Sequence, residues 1–194
     1  MKLSHSLLGA GAALALSPAP ALALTDAGTL YTLSYSGVTS TTATVTLDVD
    51  TTGYTPAGSF LDAVAVKVTS DLVSVDSFSG SPGTWTSVIG NIGSPDSCTA
   101  SGDGFMCAQG NNANSTGIDY TFVWDIKFGP GTLFTASSGA GTPSLQASYR
   151  SATGELYKIS VPIPVPDIPE PQTYALILAG LGLLGYVANR RREF

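Results

Sequence analysis

Apolar and polar residues alternate without a fault from Thr42 to Asp50: Ala43, Val45, Leu47 and Val49 fall on one side, and threonines and aspartates on the other. A two-residue period is that of a strand with one buried and one wet face. Tyr120 to Phe128 repeats the pattern with aromatics inward, and places Trp124 between Phe122 and Ile126 in a predicted core. Tyr31 to Tyr35 and Leu156 to Ser160 are weaker copies. Phe60 to Val68 and Leu72 to Phe78 carry Val or Ala on both faces, which predicts strands deeper in the fold. Glycine and proline turn signals separate these runs, among them Thr52-Gly53, Ser81-Pro82-Gly83 and Gly129-Pro130-Gly131. No helical apolar stripe persists before Tyr174. Short strands without intervening helices predict an all-β sandwich or jelly-roll-like ectodomain over residues 24–160.

The two ends follow other rules. Lys2 precedes the apolar run Leu7 to Leu16, Ser17-Pro18 breaks it, and Ala21-Leu22-Ala23 fits the small-x-small cleavage pattern. Residues 1–23 are therefore expected to be a signal peptide cut after Ala23. At the other end, five prolines fall within residues 161–171. Alternate prolines fix φ and hold their neighbours extended, so 161–173 is expected to be a stiff stalk. Tyr174 to Ala188 then runs uncharged for fifteen residues before Asn189 and Arg190, Arg191 and Arg192. As a helix, fifteen residues reach roughly 22 Å, less than the ~30 Å hydrocarbon core. The run nevertheless lacks a polar face, carries Gly180, Gly182 and Gly185, and ends in arginines that mark the cytoplasmic side. The expectation is a membrane helix over 174–189, a basic cytoplasmic tail over 190–194 and the domain outside.

Stalk, Pro169-Glu170-Pro171, short glycine-rich helix and Arg190-Arg191-Arg192, in that order, resemble the PEP-CTERM sorting signal of exopolysaccharide-producing Gram-negative bacteria. In that family an exosortase, a membrane-embedded cysteine protease, processes the signal near Pro-Glu-Pro. The resemblance implies transient anchoring in the membrane with the domain in the periplasm. Tail removal and release or attachment at the outer surface or in the extracellular matrix would follow. Glu193-Phe194 departs from the family's basic terminus.

Composition narrows the chemistry. Charged residues make up 11% of the chain, against about 25% in a typical soluble protein, while Ser and Thr number 23 and 22. The polar surface is therefore mostly hydroxyl. A net charge of −6 argues against a nucleic-acid partner, which requires a cationic footprint. The single histidine, His5, lies in the expected leader, which removes imidazole-based triads and metal sites from the mature domain. Cys98 and Cys107 bracket a glycine-containing loop, and in an exported protein they are expected to form a disulfide. A glycosidase needs two carboxylates flanking one bond; Glu155 and the aspartates, including Asp48 and Asp50, show no such pairing in sequence. Asp96 and Asp103 are loop carboxylates of the type that bind calcium, but no EF-hand-like spacing accompanies them. No cofactor is expected. Trp85, beside the turn Ser81-Pro82-Gly83, is either core or an exposed platform for a sugar ring. The combined expectation is a non-enzymatic exported protein, structural or adhesive, in contact with exopolysaccharide. A carbohydrate-binding module is the alternative, and a polysaccharide hydrolase the weaker third.

Overall fold

The computed structural model describes residues 21–55, 59–93, 97–110, 115–135 and 141–164. Ten strands follow one another: β1 (Leu22–Asp26), β2 (Thr29–Ser36), β3 (Thr42–Asp50), β4 (Phe60–Lys67), β5 (Leu72–Ser81), β6 (Trp85–Ile89), β7 (Phe105–Gly110), β8 (Asp119–Phe128), β9 (Ser144–Arg150) and β10 (Leu156–Pro162). They form two five-stranded antiparallel sheets, ordered β1-β2-β3-β8-β5 and β10-β9-β4-β7-β6. The expectation of an all-β domain of two sheets holds. Among the described residues no helix is long and apolar enough to cross a membrane. The leader through residue 20, the predicted membrane helix and the basic tail lie outside the described residues.

The alternating runs become the half-buried strands. In β3 and β8 each inward residue is buried, and Val45 pairs with Trp124 while Leu47 pairs with Phe122. These side chains meet Val64, Val66, Leu145 and Tyr149 from the second sheet in one shared core. Phe60 to Val68 behaves as predicted: β4 sits at the centre of its sheet and is buried on both faces. Leu72 to Phe78 does not. β5 is an edge strand with two register shifts, and its Val73 is 62% exposed. Bulged edges resist pairing with other chains, so its valines are a feature of a twisted border rather than of a deep strand.

Both ends of the domain extend past the limits read from sequence. β1 forms a hairpin with β2 through Ala27 and Gly28, both at positive φ, the geometry of a two-residue type I′ turn. Any Cβ on Gly28 would stand 2.0 Å from the Gly53 carbonyl oxygen, so only glycine fits there. Ala23 lies inside β1, and Leu22 is buried opposite Leu33. The expected cut after Ala23 would therefore divide the strand. At the other end Val161 and Pro162 are still paired with β9, and Ile163 is buried with its N–H donated to the Pro143 carbonyl. A proline is tolerated there because β10 is an edge strand. Strand pairing and burial therefore continue past Val161, the expected start of the stalk, and residues 165–173 lie outside the described residues.

Tyrosines fill much of the core. Tyr31 and Tyr149 join hydroxyl to hydroxyl across the two sheets, and Tyr35 donates to the Phe134 carbonyl at 3.0 Å. Burial raises the phenol pKa of Tyr31, Tyr35 and Tyr149, and pushes Tyr120 up to about 12. Because these folded values lie above the unfolded value of 10.0, the neutral phenols stabilise the fold fully below pH 10. That contribution is lost as pH rises through the folded values. In an alkaline titration the tyrosinate absorbance of these four should therefore rise in one step with loss of the far-UV β signal. A gradual rise below pH 10 with the β signal intact would contradict it.

Candidate functional site

The open face of the first sheet carries the hydroxyls that dominate the composition. Cross-strand register sets Thr44 opposite Asp125 and Asp48 opposite Thr121. Thr44 Oγ1 donates to Asp125 Oδ1 at 2.6 Å, and Ser77 Oγ to Asp125 Oδ2 at 2.5 Å. Thr121 Oγ1 donates to Asp48 Oδ1 at 2.7 Å, and Lys127 Nζ meets Asp76 Oδ2 at 2.7 Å. The hydroxyls of Ser77 and Thr44 hold the Asp125 carboxyl below the usual carboxylate range. Lys127 and then Ser74 do the same for Asp76, and Thr52 for Asp50. Such depressed groups stabilise the fold above the ordinary carboxylate pKa and lose that effect as pH falls. Asp76 and Asp125 are exposed and Asp50 is half-buried, so the individual bonds are weak and exchangeable. The face is a grid of donors and acceptors at the ~4.8 Å strand spacing, suited to many small polar contacts.

The second sheet offers no such open face. Residues 90–93 and 97–104 lie over its outer side and are fastened there. Cys98 and Cys107 form the expected disulfide. Gln109 Oε1 accepts from the Cys98 N–H at 3.1 Å, Gln146 Oε1 from the Ile92 N–H at 3.0 Å, and Lys158 Nζ donates to the Ile92 carbonyl at 2.6 Å. Ile92 and Cys107 pack with Ala63 and Ala65 in a small second core beneath this segment. Gly90 makes the entry possible, since a Cβ there would stand 1.9 Å from the Thr99 carbonyl oxygen. The disulfide closes a loop with a sequence separation of 9 residues, which constrains the unfolded chain by about 2–3 kcal/mol. Reduced protein should therefore unfold at a lower urea midpoint, by that free energy divided by the m-value.

Trp85 resolves to the core. It opens β6, is 8% exposed, and meets Phe122 edge-on at 4.7 Å and Tyr120 at 5.7 Å between ring centroids. Its Nε1 donates to the Pro82 carbonyl at 2.9 Å, which satisfies the indole without a ligand. Gly80 makes the room: a Cβ there would lie 2.9 Å from Trp85 Cβ. Trp85 is therefore a packing residue and not a sugar platform. Asp103 sits with Asp71 on the rim of a shallow cleft of about 340 Å³, and Asp96 lies outside the described residues. Among the described residues no three His, Cys, Asp or Glu side chains converge as a metal cluster.

The remaining chemistry is the address at the C-terminus. The chain leaves the sandwich at Ile163 and Pro164, directly ahead of Pro169-Glu170-Pro171 and the arginines. Residues 167–192 match the family described as the PEP-CTERM protein-sorting motif. The chain carries a PEP-CTERM sorting signal. That signal implies exosortase as the processing partner, and export and sorting to the cell surface or extracellular space. The match covers the tail alone, and among curated proteins none matches the chain. The PEP-CTERM tail therefore says where the domain is delivered, and its task has to be argued from the sandwich.

Proposed function

We propose that this PEP-CTERM protein is a non-enzymatic component of the surface or extracellular matrix that adheres to exopolysaccharide through the open face of its first sheet. The carrying observation is the hydroxyl–carboxylate grid of β3, β8 and β5, attached to a tail that sorts the chain to the cell exterior. A polysaccharide is a repeating array of hydroxyl donors and acceptors, and a regular grid meets it through many weak bonds at once. A signal peptide directs export, and the segment after the stalk holds the domain at the membrane until exosortase acts. Deleting residues 174–194 is expected to leave a periplasmic protein that never reaches the surface. Unchanged membrane retention and size after that deletion would overturn the sorting half. For the adhesive half, the exported protein should be retarded in affinity electrophoresis through the native exopolysaccharide. Joint Thr44→Val, Thr46→Val and Thr121→Val replacement should reduce that retardation, and an unaffected mobility would overturn the role of this face.

A further inference from the structure

We propose that a second, discrete saccharide site lies at one end of the sandwich, where it would hold a neutral pyranose ring of a chain end or short branch. This proposal deepens the exopolysaccharide reading and rests on it for the choice of ligand, but uses a different part of the molecule. The cleft measures about 340 Å³, at the low end of the ~300–1,000 Å³ range of small-molecule sites. Three tyrosines shape it. Tyr54 stacks on Tyr149 with ring centroids 4.2 Å apart and planes within 14°. Tyr157 stands beside Tyr149 at 6.4 Å, tilted by 41°. The floor is rigid, because the Tyr149 hydroxyl is already bonded to Tyr31 and Thr29 behind it. Tyr157 is different: it is 44% exposed, so an aromatic surface meets solvent at the wall of the cleft.

Thr55, Ser151 and Glu155 also line it and supply polar groups beside the rings. Aromatic rings flanked by hydroxyls and a carboxylate match a pyranose, whose C–H faces are apolar and whose rim is hydroxyl. Charge sets the preference among sugars. Glu155 lines the cleft, Asp26 bonds the Tyr157 hydroxyl at 3.2 Å, and no lysine or arginine among the described residues lines it. A uronic acid would place a carboxylate against this field, so neutral rings are favoured. The parts that build the site, Ala27 of the β1–β2 turn, Tyr54 and Thr55 after β3, and the β9–β10 turn, meet at the same end of the sandwich.

The test is calorimetric titration of the exported protein with cellohexaose, laminarihexaose and maltohexaose, and with trigalacturonate as the acidic counterpart. At least one neutral hexaose should bind, and Tyr157→Ala should weaken it by about tenfold while Tyr157→Phe retains most of the affinity. Glu155→Gln should admit trigalacturonate. Absence of heat with all three neutral hexaoses, affinity unchanged by Tyr157→Ala, or equal binding of trigalacturonate by the unaltered protein would each overturn the site. The outcome is separable from that of the sheet face. Loss of polymer retardation by the threonine variant with hexaose binding intact removes the one and leaves the other.

A separate observation, the position of β1, bears on processing. Ala19-Pro20-Ala21 and Ala21-Leu22-Ala23 both satisfy the small-x-small pattern, and only a cut after Ala21 leaves β1 whole with Leu22 in the core. We infer that the mature chain begins at Leu22. N-terminal sequencing of the exported protein should read Leu-Ala-Leu-Thr; a start at Leu24 or at Met1 would overturn this.

Discussion

Replacing Arg150 with alanine is expected to destabilise the domain by about 1–3 kcal/mol, the range for leaving one buried polar group unsatisfied, because Arg150 itself is 37% exposed. The other partner is Asp62, whose side chain is 5% exposed and whose Oδ2 accepts from Arg150 Nε at 2.8 Å. Asp62 is the extra residue at the β4–β9 register shift between Leu61 and Ala63, so the bulge fixes its carboxylate under the fold. Its Oδ1 has no hydrogen-bond partner, which leaves Arg150 as the group that offsets the cost of the buried charge. In the Arg150→Ala background, Asp62→Asn should recover part of the loss by removing the charge, although the amide remains imperfectly satisfied. Urea midpoints of the three variants measure this. If Arg150→Ala costs less than ~1 kcal/mol, the pair behaves as a surface contact and the argument fails.

Trp124→Ala is expected to cost about 3–5 kcal/mol, the range for deleting a large aromatic from a packed core. Trp124 is fully buried, stacks on Phe122 at 5.9 Å and meets Phe78 at 5.5 Å, while its Nε1 donates to Ser87 Oγ across the sandwich at 2.9 Å. Trp124→Phe keeps most of the volume and loses the bond, so it should cost about 1–2 kcal/mol. Equal losses for the two variants would show that the hydrogen bond contributes more than the packing. Differential scanning calorimetry on the exported protein reads both.

Much of the first sheet was legible in sequence because its strands have one dry and one wet face. The Thr42–Asp50 alternation maps onto β3 residue for residue, and Tyr120 to Phe128 differs from β8 by one residue. The second sheet was less legible for a physical reason. Its outer side is covered by residues 90–93 and 97–104, so β7 is buried on both sides and its Met106, Cys107 and Ala108 show no alternation. Gln109, Gln146 and Lys158 read as solvent-facing polar residues; only the folded chain reveals that they hold a covering segment by its backbone. β9 was detectable, since Leu145, Ala147 and Tyr149 alternate with polar residues, but its position after a glycine-rich stretch concealed it. β1 was hidden because Leu22-Ala23-Leu24 reads equally well as the end of a leader. The Tyr54, Tyr149 and Tyr157 cleft had no local signal, because its three rings come from separate parts of the chain brought together by the sheets. Sequence leaves Trp85 open between core and platform: adjacency to a turn suggests exposure, whereas β6 starts at Trp85 itself and turns the ring inward.

The path of β10 also has a mechanical meaning. The strand begins at Leu156 beside the tyrosine cleft and ends at Pro162, roughly 20 Å away, where the chain departs toward the PEP-CTERM tail. A domain held by that tail and loaded through the proposed saccharide cleft would be pulled lengthwise along β10. The seven residue pairs from Leu156–Arg150 to Pro162–Ser144 lie across this pull, so their ladder bonds would yield together in shear rather than open singly from one end. An edge strand, the weakest position for a sideways tug, is in this geometry the strap that takes the tension.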